Sequence, residues 1–391
     1  MKSQIDDLFA SFTSDGRLGA VSAAVCNSDG LIYQGAFGKR MRDGPDMAFD
    51  TVGGIMSMTK AITGAAAMQC VERGLLNLDA PAGEVCPYLG EIQVFDGFDE
   101  NDDPILRAPK RPVTLKNLLT HSSGFVYDIW NSDFVKVCQK LDIPSIMTLQ
   151  KRALEVPLMF DPDSRWEYGI GIDWAGQMVE AVSGMTLGEY FREHITGPLG
   201  MDETWFSPTE AMQAKRMAML VRLENGQLIE PPADETSGEE APPPEFEMGG
   251  GGLVSSARDY IRFLQMILRG GELDGARVLQ EDTVALMSQN HMGDLRVTEL
   301  PGNVPEMSYP AELFPGDEKS WGLTFQINEE PGFTGRSKGT LMWAGLTNCY
   351  FWIDREKDVA GVFVSQSLPF ADPICLDAYY KFEALAYDHL Q

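Results

Sequence analysis

Long apolar runs are missing from this 391-residue chain. No stretch reaches the roughly 18 apolar residues that a membrane-spanning helix needs. The opening segment, MKSQIDDLFASFTSDG, is polar and amphipathic where a secretory leader would be apolar, so a cytoplasmic protein with no membrane partner is expected. Basic residues are scarce as well: 31 Lys and Arg stand against 58 Asp and Glu, a formal charge of −27. That balance repels polyanions and excludes nucleic acid as an expected partner. Histidine is rarer still, with four in the chain and no H-E-x-x-H among them. The six cysteines (Cys26, Cys70, Cys86, Cys138, Cys349, Cys375) are scattered without a C-x-x-C pair. They read as reduced thiols, and neither a metal nor a cofactor is expected.

What remains is a hydrophobic content of 44% with 39 Gly and 23 Pro, ordinary for a globular enzyme. The length exceeds one ordinary core. Residues 3–13 carry Ile5, Leu8, Phe9 and Phe12 on one helical side. Strand-like segments follow at Leu18 to Cys26 and Leu31 to Phe37, joined by the turn Asn27-Ser28-Asp29-Gly30. Helical patterning dominates 144–220, and 228–247, rich in Pro and Glu, reads as loop. The acidic stretch 96–104 lacks the register of a calcium loop and reads as a solvated loop. Strand-like segments resume at Trp321 to Ile327, Gly339 to Ala344, Cys349 to Ile353 and Val359 to Ser365, before a helix from about Pro373 to His389. The expected fold is α+β. An antiparallel sheet is built from residues 1–80 and 320–391, and a mostly helical insertion, 81–319, leaves the active site at the junction.

The stretch with chemistry is Gly53-Gly54-Ile55-Met56-Ser57-Met58-Thr59-Lys60, which opens a helix of small residues. Ser57 and Lys60 stand at i and i+3, one turn apart on one face. A serine hydroxyl is a poor nucleophile until a neighbour takes its proton; a lysine in apolar surroundings loses pKa and can take it, or it holds a second base in its charged form. With 22 Ser and 13 Lys, chance supplies about 0.7 S-x-x-K matches, so the setting has to carry the assignment. His121, in Leu118-Leu119-Thr120-His121-Ser122-Ser123-Gly124, competes as a general base. No G-x-S-x-G elbow surrounds the neighbouring serines, and the segment reads as a helix end closed by glycine. The run Gly249-Gly250-Gly251-Gly252 lacks the G-K-[ST] ending of a phosphate loop and reads as close backbone packing.

Taken in order, the strand pair, the S-x-x-K helix, LLTHSSG, a W-E-Y segment, GGGGLVSSARD and W-A-G before a terminal hairpin resemble the serine β-lactamase and penicillin-binding-protein superfamily in its class C-like branch. Within it the chain is most similar to family VIII carboxylesterases and, more loosely, to lovastatin-type acyltransferases. The resemblance spans roughly residues 5–390. It implies Ser57 as nucleophile, Lys60 as its helical lysine, and Tyr168, in Trp166-Glu167-Tyr168, as the second member of the base. Tyr127 is the competing tyrosine and otherwise a substrate contact. Tyr168 lacks the Asn two places on that the strict Y-x-N form carries. Trp343-Ala344-Gly345 stands where β-lactamases have K-[ST]-G, with Lys338-Gly339-Thr340 nearby in the wrong order. By resemblance, Trp343, Ala344 and Gly345 line the substrate, and the backbone N–H groups of Ser57 and Leu346 form the oxyanion hole. The implied activity is hydrolysis of neutral short-chain esters through an acyl-Ser57 intermediate. The alternatives are acyl transfer to an alcohol, or weak β-lactamase or D,D-peptidase activity.

Overall fold

The computed structural model describes residues 1–231 and 243–389. Ile5, Phe9 and Phe12 recur at helical spacing, and helix α1 (Lys2–Ser14) buries all three. Strands β1 (Ala20–Cys26) and β2 (Leu31–Gly38) pair antiparallel. The Asn27 side chain closes their turn by accepting the N–H groups of Asp29 and Gly30 at 3.1 and 2.9 Å. A short strand, β3 (Gly53–Gly54), leads into helix α2 (Thr59–Glu72), in which every residue from Thr59 to Cys70 is buried. An element apolar or small on all sides belongs inside a protein, and the Gly64–Ala67 run lets its neighbours approach closely.

The middle of the chain supplies α3 (Leu115–Thr120), α4 (Ser132–Lys140) and α5 (Gly171–Ser183), the last packed against α2. A second short strand, β4 (Val254–Ser255), pairs with β3. Helix α6 (Ala257–Leu268) follows, capped by Ser256, whose hydroxyl accepts the Asp259 N–H at 3.2 Å. The C-terminal part returns to strand: β5 (Lys319–Trp321), β6 (Gln326–Asn328), β7 (Leu341–Gly345), β8 (Cys349–Asp354) and β9 (Val359–Val364). These five join β1 and β2 in one antiparallel sheet of order β5-β6-β7-β8-β9-β1-β2. Both ends of the chain therefore build the sheet, as expected. Helix α6 covers one face, on β1, β8 and β9. Helix α1 and the last helix, α7 (Pro373–Asp388), cover the other, where Phe382 meets Phe9 and Trp352. With both faces covered, β1, β8 and β9 are buried at every residue, and apart from Ser22 and Asp354 their sequences are apolar rather than alternating.

Several expectations are corrected. The segment from Trp321 to Ile327 is two strands, because the Gly322 N–H reaches the Phe325 carbonyl at 2.8 Å and reverses the chain. The acidic stretch is not all solvated loop: Val94–Phe98 and Pro104–Arg107 pair, and the tip is tied down by Lys136 to Asp102 and Lys140 to Asp103. Within 144–220, α5 is the one helix longer than five residues. Leu228–Ile229 pairs with Val221–Arg222 as strand, whereas 232–242 of that expected loop lies outside the described residues. Among the described residues no helix is long and apolar enough to cross a membrane.

One ion pair tests the sheet's outer layer. Arg336 and Glu383 are both fully buried; the guanidinium donates to Glu383 Oε1 at 2.7 Å and also bonds Asn328 and Tyr379. Removing one partner strands a buried charge, at a cost of about 3–5 kcal/mol. Glu383→Ala is therefore expected to lower unfolding stability by about that much in chemical denaturation. A loss under about 1 kcal/mol would contradict this reading of the pair.

Candidate active site

Ser57 sits in a tight turn, Met56–Met58, that runs directly into α2. The turn is held from several sides. Gln366 accepts the Gly54 N–H at 3.0 Å and donates to the Gly54 carbonyl at 2.8 Å, and Thr347 donates to the same carbonyl at 3.1 Å. Tyr260 of α6 donates to the Met58 carbonyl at 2.9 Å. Met56, just before the serine, adopts a left-handed backbone (φ 47°), a conformation that a non-glycine residue keeps only when its surroundings impose it. Ser57 is half-buried, whereas Lys60 is buried.

The Lys60 amine has three oxygen neighbours: Ser57 Oγ at 3.1 Å, Tyr127 Oη at 3.0 Å and the Gly250 carbonyl at 2.6 Å. Burial pushes its pKa down to about 7, opposed by the Asp173 carboxylate. A neutral amine keeps two N–H bonds, one each for Gly250 and Tyr127, and leaves its lone pair for the Ser57 proton. Tyr168 flanks the same amine, its ring 4.7 Å from Nζ. Its hydroxyl accepts the indole N–H of Trp343 at 3.0 Å. Burial holds that hydroxyl far above the ordinary tyrosine range, and hydrogen bonding from Ser57 and Trp343 pulls the other way.

The site thus gathers Ser57, Lys60, Tyr168, Tyr127 and Trp343. Tyr127 bonds Lys60 directly. Trp343, only 5% exposed, packs on Tyr168 and Trp321, and its polar edge is spent on Tyr168. Ala344 and Gly345 follow on β7, where Gly345 is pressed against the Ile55 carbonyl: a Cβ there would lie 2.3 Å from it. Leu346, half-buried, comes next, immediately after the strand's end. Lys338 is exposed in the turn before β7, 3.6 Å from Glu329 and away from this cluster.

His121 is a buried ring packed at a tilt against Tyr168, with centroids 4.6 Å apart. Its Nδ1 accepts the Gly169 N–H at 3.4 Å, and burial, then Lys60, keep it neutral. The left-handed residue that ends α3 is His121 itself, with φ 57°, rather than Gly124. Ser122 is tied to Asp163, Asn117 and Thr120. Sequence reasoning assigned nothing to Asp173 or Gln366, and to Gly250 only close backbone packing. The one available signal was Asp173 itself, a lone charge in the apolar run Ile170-Gly171-Ile172-Asp173-Trp174-Ala175. Among the described residues, no group of three or more His, Cys, Asp and Glu side chains is placed to hold a metal.

The beta-lactamase family model matches residues 5–386. The chain belongs to that family. It is 30% identical to the ML-236A carboxylate methylbutanoyltransferase of Penicillium citrinum, over 99% of this chain and 95% of that one. It is 29% identical to the lovastatin esterase of Penicillium rubens, over 93% and 92%. A mutant of the simvastatin synthase of Aspergillus terreus superposes with a TM-score of 0.84 at 29% identity, covering 100% of this chain and 97% of that one. The α+β fold is thus that of the serine β-lactamases and penicillin-binding proteins.

Proposed function

We propose that this protein is a serine acyl-transferring enzyme. Ser57 takes the acyl group of a neutral ester and passes it to an alcohol, with water as the competing acceptor. The observation that carries the reading is the buried Lys60 amine in direct contact with the Ser57 hydroxyl, with Tyr168 on its other side. The Ser57 proton moves to the Lys60–Tyr168 unit as Oγ bonds the acyl carbon. The oxyanion so formed is held by the backbone N–H groups of Ser57 and Leu346, one such donor contributing about 3–4 kcal/mol. The unit returns its proton to the leaving alkoxide, and the same steps run in reverse with the incoming alcohol or water. The P. citrinum relative is named for methylbutanoyl transfer, which favours the alcohol as acceptor. Hydrolysis is the second reading, favoured by the relative named as an esterase at nearly the same identity.

A β-lactam carries a carboxylate beside the bond attacked, and this site offers it no free cation on β7. Lys319, which borders the same narrow crevice as Trp343, is engaged by Glu312 at 2.7 Å and the Phe314 carbonyl at 2.8 Å. A missing charge-assisted hydrogen bond forfeits roughly 1.5–3 kcal/mol, or about ten- to a hundredfold. An uncharged butyrate ester is therefore expected to exceed a cephalosporin in kcat/KM by at least about tenfold. With a secondary alcohol added, the butyrylated alcohol is expected among the products. Butyric acid alone favours the hydrolase, and equal turnover of the cephalosporin overturns the ester reading.

A further inference from the structure

We propose that Asp173 is a positioning residue for proton transfer at Ser57: it fixes the Gly250 carbonyl against Lys60 and supplies the carboxylate charge that acts on that amine. The inference rests on the acyl-Ser57 reading above. Asp173 lies in the first turn of α5, fully buried. Its Oδ1 accepts the Gly250 N–H at 2.7 Å, and the carbonyl of the same Gly250 accepts from Lys60 Nζ at 2.6 Å. One residue thus joins the carboxylate to the amine. A side chain at Gly250 would end that arrangement, since its Cβ would lie 2.3 Å from Asp173 Oδ2. Thr63 of α2 anchors the preceding Gly249 carbonyl at 2.7 Å, so the glycine run is fixed on both sides.

A purely structural anchor for the Gly250 N–H needs one neutral acceptor. Asp173 instead places a carboxylate here, and its Oδ2 has no hydrogen-bond partner. Burying a charge with one oxygen unsatisfied is costly, and such an arrangement persists where the charge has a use. Burial raises the Asp173 pKa and Lys60 opposes it; in return Asp173 raises Lys60, and it also raises Tyr127 and Tyr168. The other titratable groups facing the pair do not replace it. His121, from the end of α3, is neutral, Asp128 acts on Tyr127, and the glycine run offers only backbone.

The sign of the effect does not depend on which group is the base. Attack by Ser57 needs the Lys60–Tyr168 unit to have lost one proton. A nearby negative charge holds that proton on, whether it sits on the amine or the phenol. Replacing the charge must therefore move the acid limb of activity to lower pH.

The test follows the rate at which a fluorophosphonate labels Ser57 across pH. In that reaction the Oγ–P bond forms, fluoride leaves, and the base unit takes the hydroxyl proton. Asp173→Asn keeps an acceptor for the Gly250 N–H and removes the charge. Its acid limb is expected to fall by about one pH unit relative to the parent. Asp173→Ser, smaller and also neutral, is expected to shift the same way and serves if the Asn variant does not fold. A lowered plateau with an unmoved acid limb would mean a structural anchor and overturn the inference alone. A parent that is not labelled at Ser57 would overturn the acyl-enzyme reading, and this inference with it.

Discussion

Ser57→Ala is expected to lower kcat for ester turnover by about 10⁴- to 10⁶-fold, the scale on which serine hydrolases respond to losing the nucleophile. The expectation rests on what surrounds each competing hydroxyl. Ser57 Oγ is 3.1 Å from a buried amine whose pKa burial has lowered. Ser122 is occupied by Asp163, Asn117 and Thr120, and Ser123 is buried, accepting the Phe125 N–H at 3.4 Å. Neither hydrogen-bonds an amine or an imidazole; the one basic group at either is the Asp163 carboxylate, 3.2 Å from Ser122 Oγ. Steady-state kinetics on the uncharged butyrate ester, with folding checked by circular dichroism, measures the effect. Activity within about tenfold of the parent would place the nucleophile elsewhere.

The second large effect concerns the base. Lys60→Ala and Tyr168→Phe are each expected to lower kcat by at least about a hundredfold. The double variant should be little worse than either, because groups that share one proton fail together. The structure adds a control. Tyr127 also bonds Lys60, at 3.0 Å, so two tyrosines contact the same amine. Hydrogen bonding from Ser57 and Trp343 converges on Tyr168, whereas Tyr127 is raised by burial and by neighbouring negative charges. Tyr127→Phe is therefore expected to cost less than about tenfold. Full activity in Tyr168→Phe with loss in Tyr127→Phe would exchange their roles.

The sheet was legible in the sequence because its central strands β1, β7, β8 and β9 are mainly apolar runs bounded by Asn, Gly and Asp turns, and α2 because its small residues leave no solvent face. The hairpin between Trp321 and Gln326 was not legible: Leu323 and Phe325 are as apolar as the strands they connect and are buried with them. The serine and lysine could be paired because one helical turn brings them together. Tyr127 and Tyr168 are 41 positions apart, and only the packing of α3, α5 and the glycine run shows that both reach Lys60. Asp173 was hidden for the same reason. Its partner is a backbone group of Gly250, and a contact between a side chain and a distant peptide leaves no mark in residue spacing.

The residue at which the protein becomes acylated decides its chemistry. Treatment with a fluorophosphonate, followed by intact mass and peptide mapping, tests this most directly. One adduct per chain, on the peptide that carries Ser57 and absent from Ser57→Ala, is the predicted result. An adduct on Ser122 or Ser123, or none at all, would contradict it.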